Sequence, residues 1–89
     1  DVIELNEAFA AQVIAVMRAT DMTHDQVNPY GGAIAFGHPV GATGAILTTR
    51  IAHFMSSRER ELGMVTMCIG GGQALAAVFE NCNVDRSRA

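Results

Sequence analysis

Five glycines and Pro39 fall within GGAIAFGHPVGATG, residues 31–44. A backbone so rich in turn formers cannot carry one long helix or strand through that region. Regular elements must lie on either side, with room inside for one short element. The cluster NPYGG, residues 28–32, reads as a turn. The apolar run Ala33–Phe36 reads as a short buried strand, and GHPVGATG, residues 37–44, reads as a glycine-rich loop that opens a helix.

Upstream, NEAFAAQVIAVMRAT is dense in alanine. Phe9, Val13, Val16 and Met17 recur at helical spacing, which predicts a helix over residues 7–20 with a wide buried face. Asn6 stands where a side chain caps free N–H groups. Residues 21–27 form a polar connection. Downstream, Leu47, Ile51, Phe54 and Met55 recur at i, i+4, i+7 and i+8, which predicts a second buried helix. The apolar, β-branched run 64–69 predicts a strand. Gly70, Gly71 and Gly72 then turn the chain, and QALAAVFE, residues 73–80, reads as an antiparallel partner, although its alanine content leaves helix open. Residues 81–89 read as a polar tail, and residues 1–80 as one domain portion. The order helix, strand, helix, strand, strand predicts an α/β layered fold whose mixed sheet is covered by helices on both faces.

Composition narrows the function. Apolar residues make up 49% of the 89 and charged residues only 17%, a rich apolar load for a domain that buries roughly two-thirds of its unfolded surface. The chain is therefore expected to be part of something larger, and its non-Met first residue fits an excerpt. A net charge of -3 without a basic patch argues against nucleic-acid binding. No apolar run reaches the ~18 residues of a membrane span, and no secretory signal opens the chain. Two cysteines, Cys68 and Cys82, do not make a disulfide scaffold, so a reducing compartment, the cytoplasm first, is expected.

Three residues carry possible chemistry. Asn6 has the plain reading of a helix cap. His38 lies between Gly37 and the rigid Pro39 in a loop that lets backbone approach closely. Cys68 ends an apolar strand, where a cysteine is commonly a small buried hydrophobe, but three glycines follow, and such a run can present N–H groups to an oxyanion. His24 and His53 read as surface residues and Cys82 as inert. The spacing of His and Cys matches no paired-ligand zinc site. Gly37, Gly41 and Gly44 approach a phosphate-cradling loop, but they depart from GxGxxG and lack a P-loop lysine.

Together, ELNEAFAAQ (residues 4–12), NPYGGAIAFGHPVGATGA (28–45) and MCIGGGQALAAVFE (67–80) resemble, in this order, the three blocks of the C-terminal half of thiolases. NEAF resembles the acetoacetyl-CoA and 3-ketoacyl-CoA thiolases, not the sterol-carrier type or the ketosynthases. Pro29, Tyr30 and Phe36 depart from the residues common at those places. The resemblance implies a layered thiolase-like fold and reversible thiolytic cleavage or Claisen condensation of 3-ketoacyl-CoA, as in fatty acid metabolism. Coenzyme A thioesters would be substrates, and no separate cofactor or metal is implied. By resemblance, His38 activates a nucleophilic cysteine and donates to the thioester oxygen, with a water held by Asn6 as second donor. Cys68 is the acid/base at the α-carbon, and the Gly70 N–H joins the second oxyanion hole. In the family the nucleophile comes from the N-terminal half, which is then an implied partner, and the complete protein is expected to be a homo-oligomer. Two other readings stand beside this one: a non-catalytic remnant or interaction module, and a nucleotide-binding module.

Overall fold

The segment VIEL is too short to reveal a period, yet it forms strand β1 (Val2–Leu5) in the computed structural model, which describes residues 1–84. Helices α1 (Ala10–Thr20), α2 (Ala33–Phe36) and α3 (Thr43–Arg58) follow, then strands β2 (Leu62–Gly70) and β3 (Gln73–Glu80). β1 and β2 run parallel, with Val2 opposite Gly63 and Leu5 opposite Thr66. A parallel pair cannot be closed by a tight turn, so the chain crosses over through the helices before returning. β2 and β3 form the expected antiparallel hairpin, with Val65 opposite Ala77. At its turn Gly70, Gly71 and Gly72 all take positive φ, which a side chain would resist. On the other side of β1, Ile3 makes one parallel bridge to Val27.

Side chains alternate along β1, so its two faces meet different helices. Val2 packs with Leu47, Ile51 and Met55 of α3 and with Val65 of β2, flanked by Phe54 and Phe79. Leu5 packs with Val13 and Met17 of α1 and with Val27. The mixed sheet with helices on it is therefore the layered α/β arrangement that the sequence predicts, and the apolar spacing of both long helices marks the faces they bury. Coverage stops at β3, where every residue except Phe79 is exposed.

Several local expectations are corrected. Ala33–Phe36 is a short helix, not a buried strand: the Glu7 carboxylate accepts the Ile34 N–H at 3.1 Å, and only Ala33 of the four is buried. Four apolar residues carry no period that could tell the two apart. The first long helix begins at Ala10 with Phe9 at its cap position, so Asn6 caps nothing. Asn6 instead extends the ladder, its N–H donating to Thr66 O at 3.0 Å. The supposed tail starts as a docked turn, with the Asn81 N–H donating to Glu61 O and Asn81 Nδ2 to Met55 O. Residues 85–89 lie outside the described residues.

One charged group ties the layers together. Arg50 on α3 donates to Glu4 Oε1 at 2.8 Å and to Gly31 O at 3.0 Å, and its guanidinium carbon sits 4.6 Å from the centre of the Phe36 ring. Glu4 is 3% exposed. Burial raises its carboxyl above the usual value, the hydrogen bond and charge of Arg50 pull it back, and Glu7 adds a smaller upward push.

Two outcomes follow from this packing. A Cβ at Gly63 would lie 2.5 Å from Met55 Sδ and 2.9 Å from Ile51 Cγ1. Gly63→Ala should therefore lower stability by about 1–3 kcal/mol in urea unfolding; an unchanged midpoint would mean that α3 shifts freely. Because the folded-state value of Glu4 is raised, the folded chain binds more protons in the window just above the ordinary carboxylate range. Its contribution is fully present below the unfolded value and is lost as pH rises through the folded one. Wild type should lose stability relative to Glu4→Gln across that window, and a pH-independent difference between the two would refute the raised value.

Candidate active site

The parallel strands β1 and β2 end side by side, and in α/β folds the carboxyl ends of such strands are where polar groups can gather without disrupting the core. Asn6 is the first residue past β1 and is 2% exposed. Thr66 lies opposite Leu5, so Cys68 stands two residues farther along the neighbouring strand, next to the irregularity that separates it from Gly70. The glycine loop delivers His38 to the same end. Gly37, at φ 97°, terminates α2 and turns the chain toward α3.

The imidazole is half-buried and held at both nitrogens. Nδ1 lies 2.6 Å from Thr43 Oγ1, and Nε2 lies 3.4 Å from Asn6 Nδ2, a long contact for a hydrogen bond. The Thr43 hydroxyl donates to Pro39 O at 3.0 Å. Asn6 Oδ1 is buried and has no partner among the described residues. Cys68 is exposed and free of any disulfide. Together with Gly70 it lines a cleft of about 420 Å³, whose walls also include Leu5, Gln12, Thr66 and Gln73.

Of the four residues singled out in the sequence, the structure brings Asn6 to His38 and Cys68 to Gly70. It does not bring the thiol into contact with the imidazole, whose hydrogen-bond partners are Asn6 and Thr43. Strand alternation explains the separation: Asn6 follows Glu4 on the α3 side of the sheet, whereas Cys68 follows Thr66 and Leu5 on the α1 side. The two pairs lie on adjacent strand ends and open to different sides.

Sequence reasoning missed the supports. Asn28, at φ 47°, places its amide against the backbone of Leu5, accepting the Leu5 N–H at 2.9 Å and donating to Leu5 O at 2.8 Å. Its Nδ2 also donates to Glu7 Oε2 at 3.2 Å. Glu7 thereby links the end of β1, the turn at Asn28 and the start of α2, and a side chain at Gly32 would overlap its carboxyl group. An Asn in a turn is a weak hint of the left-handed conformation, and the Pro that follows it points the other way, toward extended backbone. Thr43 left only the hint of a hydroxyl at the helix-opening end of the glycine loop.

His24, His53 and Cys82 are exposed. Among the described residues no three His, Cys, Asp or Glu side chains cluster so as to hold a metal ion, and no helix is long and apolar enough to cross a membrane. The nucleotide-loop reading loses its framework. Its glycine loop follows helix α2 rather than a strand, and the Ala42 and Thr43 N–H groups are already donated to Pro39 O, at 2.7 and 2.9 Å.

Residues 1–81 match the family described as thiolase, C-terminal domain. The chain is 54% identical over 79 residues to a 3-ketoacyl-CoA thiolase of Bacillus subtilis, covering 89% of this chain and 20% of that protein. It is 52% identical over 80 residues to the beta-ketothiolase BktB of Cupriavidus necator, with 90% and 20% covered. Against the acetyl-CoA acetyltransferase of Escherichia coli it is 51% identical over 83 residues, with 93% and 21% covered. The chain thus spans about one-fifth of the length of the curated relatives it matches. With its mixed sheet, its buried Asn6 beside His38 and these matches along nearly its whole length, the chain belongs to the thiolase family, within that family's C-terminal domain.

Proposed function

We propose that this chain supplies the Asn, His and Cys part of an acyltransferase site for the reversible thiolysis of 3-ketoacyl-CoA, the nucleophilic cysteine coming from the N-terminal half of a complete thiolase. The observation that carries the reading is the buried Asn6 amide 3.4 Å from Nε2 of His38, on the strand end adjacent to Cys68 and Gly70. A buried amide and a half-buried imidazole share one strand end, and the relatives named as thiolases support the reaction class.

In cleavage, His38 takes the proton of the nucleophilic thiol, and the thiolate attacks the 3-keto carbon. The bond between the α- and β-carbons breaks, the electron pair leaves as the enolate of acetyl-CoA, and Cys68 delivers a proton to its α-carbon. The Cys68 thiolate then takes the proton of the coenzyme A thiol, whose sulfur takes the acyl group from the nucleophile, and the displaced thiolate recovers its proton from the His38 imidazolium. The weak acidity of a thioester α-proton makes enolate stabilisation the dominant requirement. His38 and a water held by Asn6 meet it, and the Gly70 N–H serves the second oxyanion. The thiol must then be carried to the imidazole side of the sheet end, a movement that the exposed position of Cys68 and the glycines after it leave room for. Coenzyme A thioesters are the substrates, with no metal or further cofactor. The N-terminal half is the obligatory partner, the complete enzyme is a homo-oligomer, and a reducing compartment such as the cytoplasm is its setting. Residues 1–89 alone are inactive on this reading.

A chimera tests it. Residues 1–81 replace the matching segment of the E. coli acetyl-CoA acetyltransferase, and thiolysis of acetoacetyl-CoA is assayed. The chimera should be active, His38→Ala and Cys68→Ala should each lower kcat/KM by on the order of 10³-fold, and His53→Ala should change little. A well-folded chimera with no activity, or one indifferent to His38 and Cys68, would sink the assignment.

A further inference from the structure

We infer that Thr43 is a positioning residue that holds His38 in its Nδ1–H tautomer, keeping the Nε2 lone pair on the side of Asn6. The inference rests on His38 acting as the base of the proposed reaction. Protons can be counted along one chain of contacts. With the Asn6 amide oriented so that Nδ2 faces Nε2 at 3.4 Å, the amide donates and Nε2 accepts; the reversed amide would bring the partnerless Oδ1 to an Nε2–H, the tautomer that the test below distinguishes. A neutral imidazole that accepts at Nε2 carries its proton on Nδ1. That nitrogen is 2.6 Å from Thr43 Oγ1, whose single proton goes to Pro39 O at 3.0 Å, leaving an oxygen lone pair for Nδ1–H. Every donor meets an acceptor, from Asn6 through His38 and Thr43 to the Pro39 carbonyl. In the opposite tautomer, with the same amide orientation, Nε2–H would point at the Asn6 amide protons.

The anchor is stiff. Thr43 is 1% exposed, so water does not compete for its hydroxyl. It lies in the first turn of α3, which is fixed by the burial of Leu47 and Ile51, and its acceptor belongs to the residue next to His38. Chemically, the tautomer decides whether His38 can start the reaction. The thiol proton of the nucleophile moves to Nε2, the thiolate is freed, and the resulting imidazolium keeps its Nδ1–H on Thr43 while Nε2–H donates to the substrate oxygen. A ring already protonated at Nε2 would have its lone pair turned toward Thr43 and could not take that proton.

The test reads the ring directly. With ¹⁵N-labelled histidine in the 89-residue chain, long-range ¹H–¹⁵N correlations at a pH where imidazoles are neutral distinguish a bare nitrogen from a protonated one. The exposed His24 and His53 serve as unconstrained references. His38 should show a protonated Nδ1 and a bare Nε2, Thr43→Val should shift the ring toward the mixture seen in the references, and Thr43→Ser should retain the wild-type pattern. In the acetyltransferase chimera, Thr43→Val should lower kcat about 10²-fold with KM little changed, and Thr43→Ser should restore it. A wild-type ring protonated at Nε2, or a Thr43→Val ring identical to wild type, would overturn the inference. If Thr43→Val fails to fold, the wild-type pattern and the Ser variant still decide it. An inactive chimera whose His38 keeps the Nδ1–H ring would count against the proposed reaction and for the positioning role.

Discussion

The parallel pairing of β1 with β2 is the constraint from which the rest of this structure follows. It joins the first residues of the chain to a segment that begins only at Leu62, so everything between must serve as a crossover. Parallel strands also end on the same side, and that is why Asn6 and Cys68, far apart in sequence, finish on adjacent strand ends. The pairing is held by burial. Val2 and Val65 lie under α3, Leu5 lies against α1, and Gly63 has no side chain so that Met55 and Ile51 can close over the strand.

Within the crossover, hydrogen bonds rather than apolar packing place the His38 loop. The chain from Asn28 to Thr43 buries little of its own: Tyr30, Ile34, Phe36 and Val40 are all exposed to a considerable degree. It is secured at separate points by the Asn28 amide on Leu5, the Glu7 carboxylate on Ile34, Arg50 on Gly31 and Thr43 on His38. Phe36 offers its ring face to the Arg50 guanidinium. Polar links of this kind fix the direction of the imidazole, whereas apolar contacts are tolerant of rotation.

The far side of the sheet is different in character. β3 pairs with β2 along its length, yet Leu75 is 65% exposed and Val78 67%. Its backbone pairs with β2 on one side, interrupted at the irregularity between Cys68 and Gly70, and of its side chains Phe79 packs on the core, so its stability derives from β2, from Phe79 and from the docked turn at Asn81. The same openness gives Cys68 its access to solvent.

The sequence by itself determined the two long helices, the hairpin and the family, because each leaves a repeating or extended signal: apolar residues a turn apart, β-branched runs broken by three glycines, and a long glycine and proline block around His38. It also marked Asn6, His38, Cys68 and Gly70 as residues to watch. It did not reveal β1, which is too short for a period, nor the helical state of Ala33–Phe36, which a carboxylate from elsewhere in the chain decides. Only the tertiary structure decided that Asn6 is a ladder residue beside His38 rather than a helix cap, that Glu7, Asn28 and Thr43 brace the loop, and that Cys68 opens to the other side of the sheet. The physical reason is the same in each case: these relations join residues distant in sequence through single hydrogen bonds or through the alternation of a strand, and neither leaves a trace in local composition.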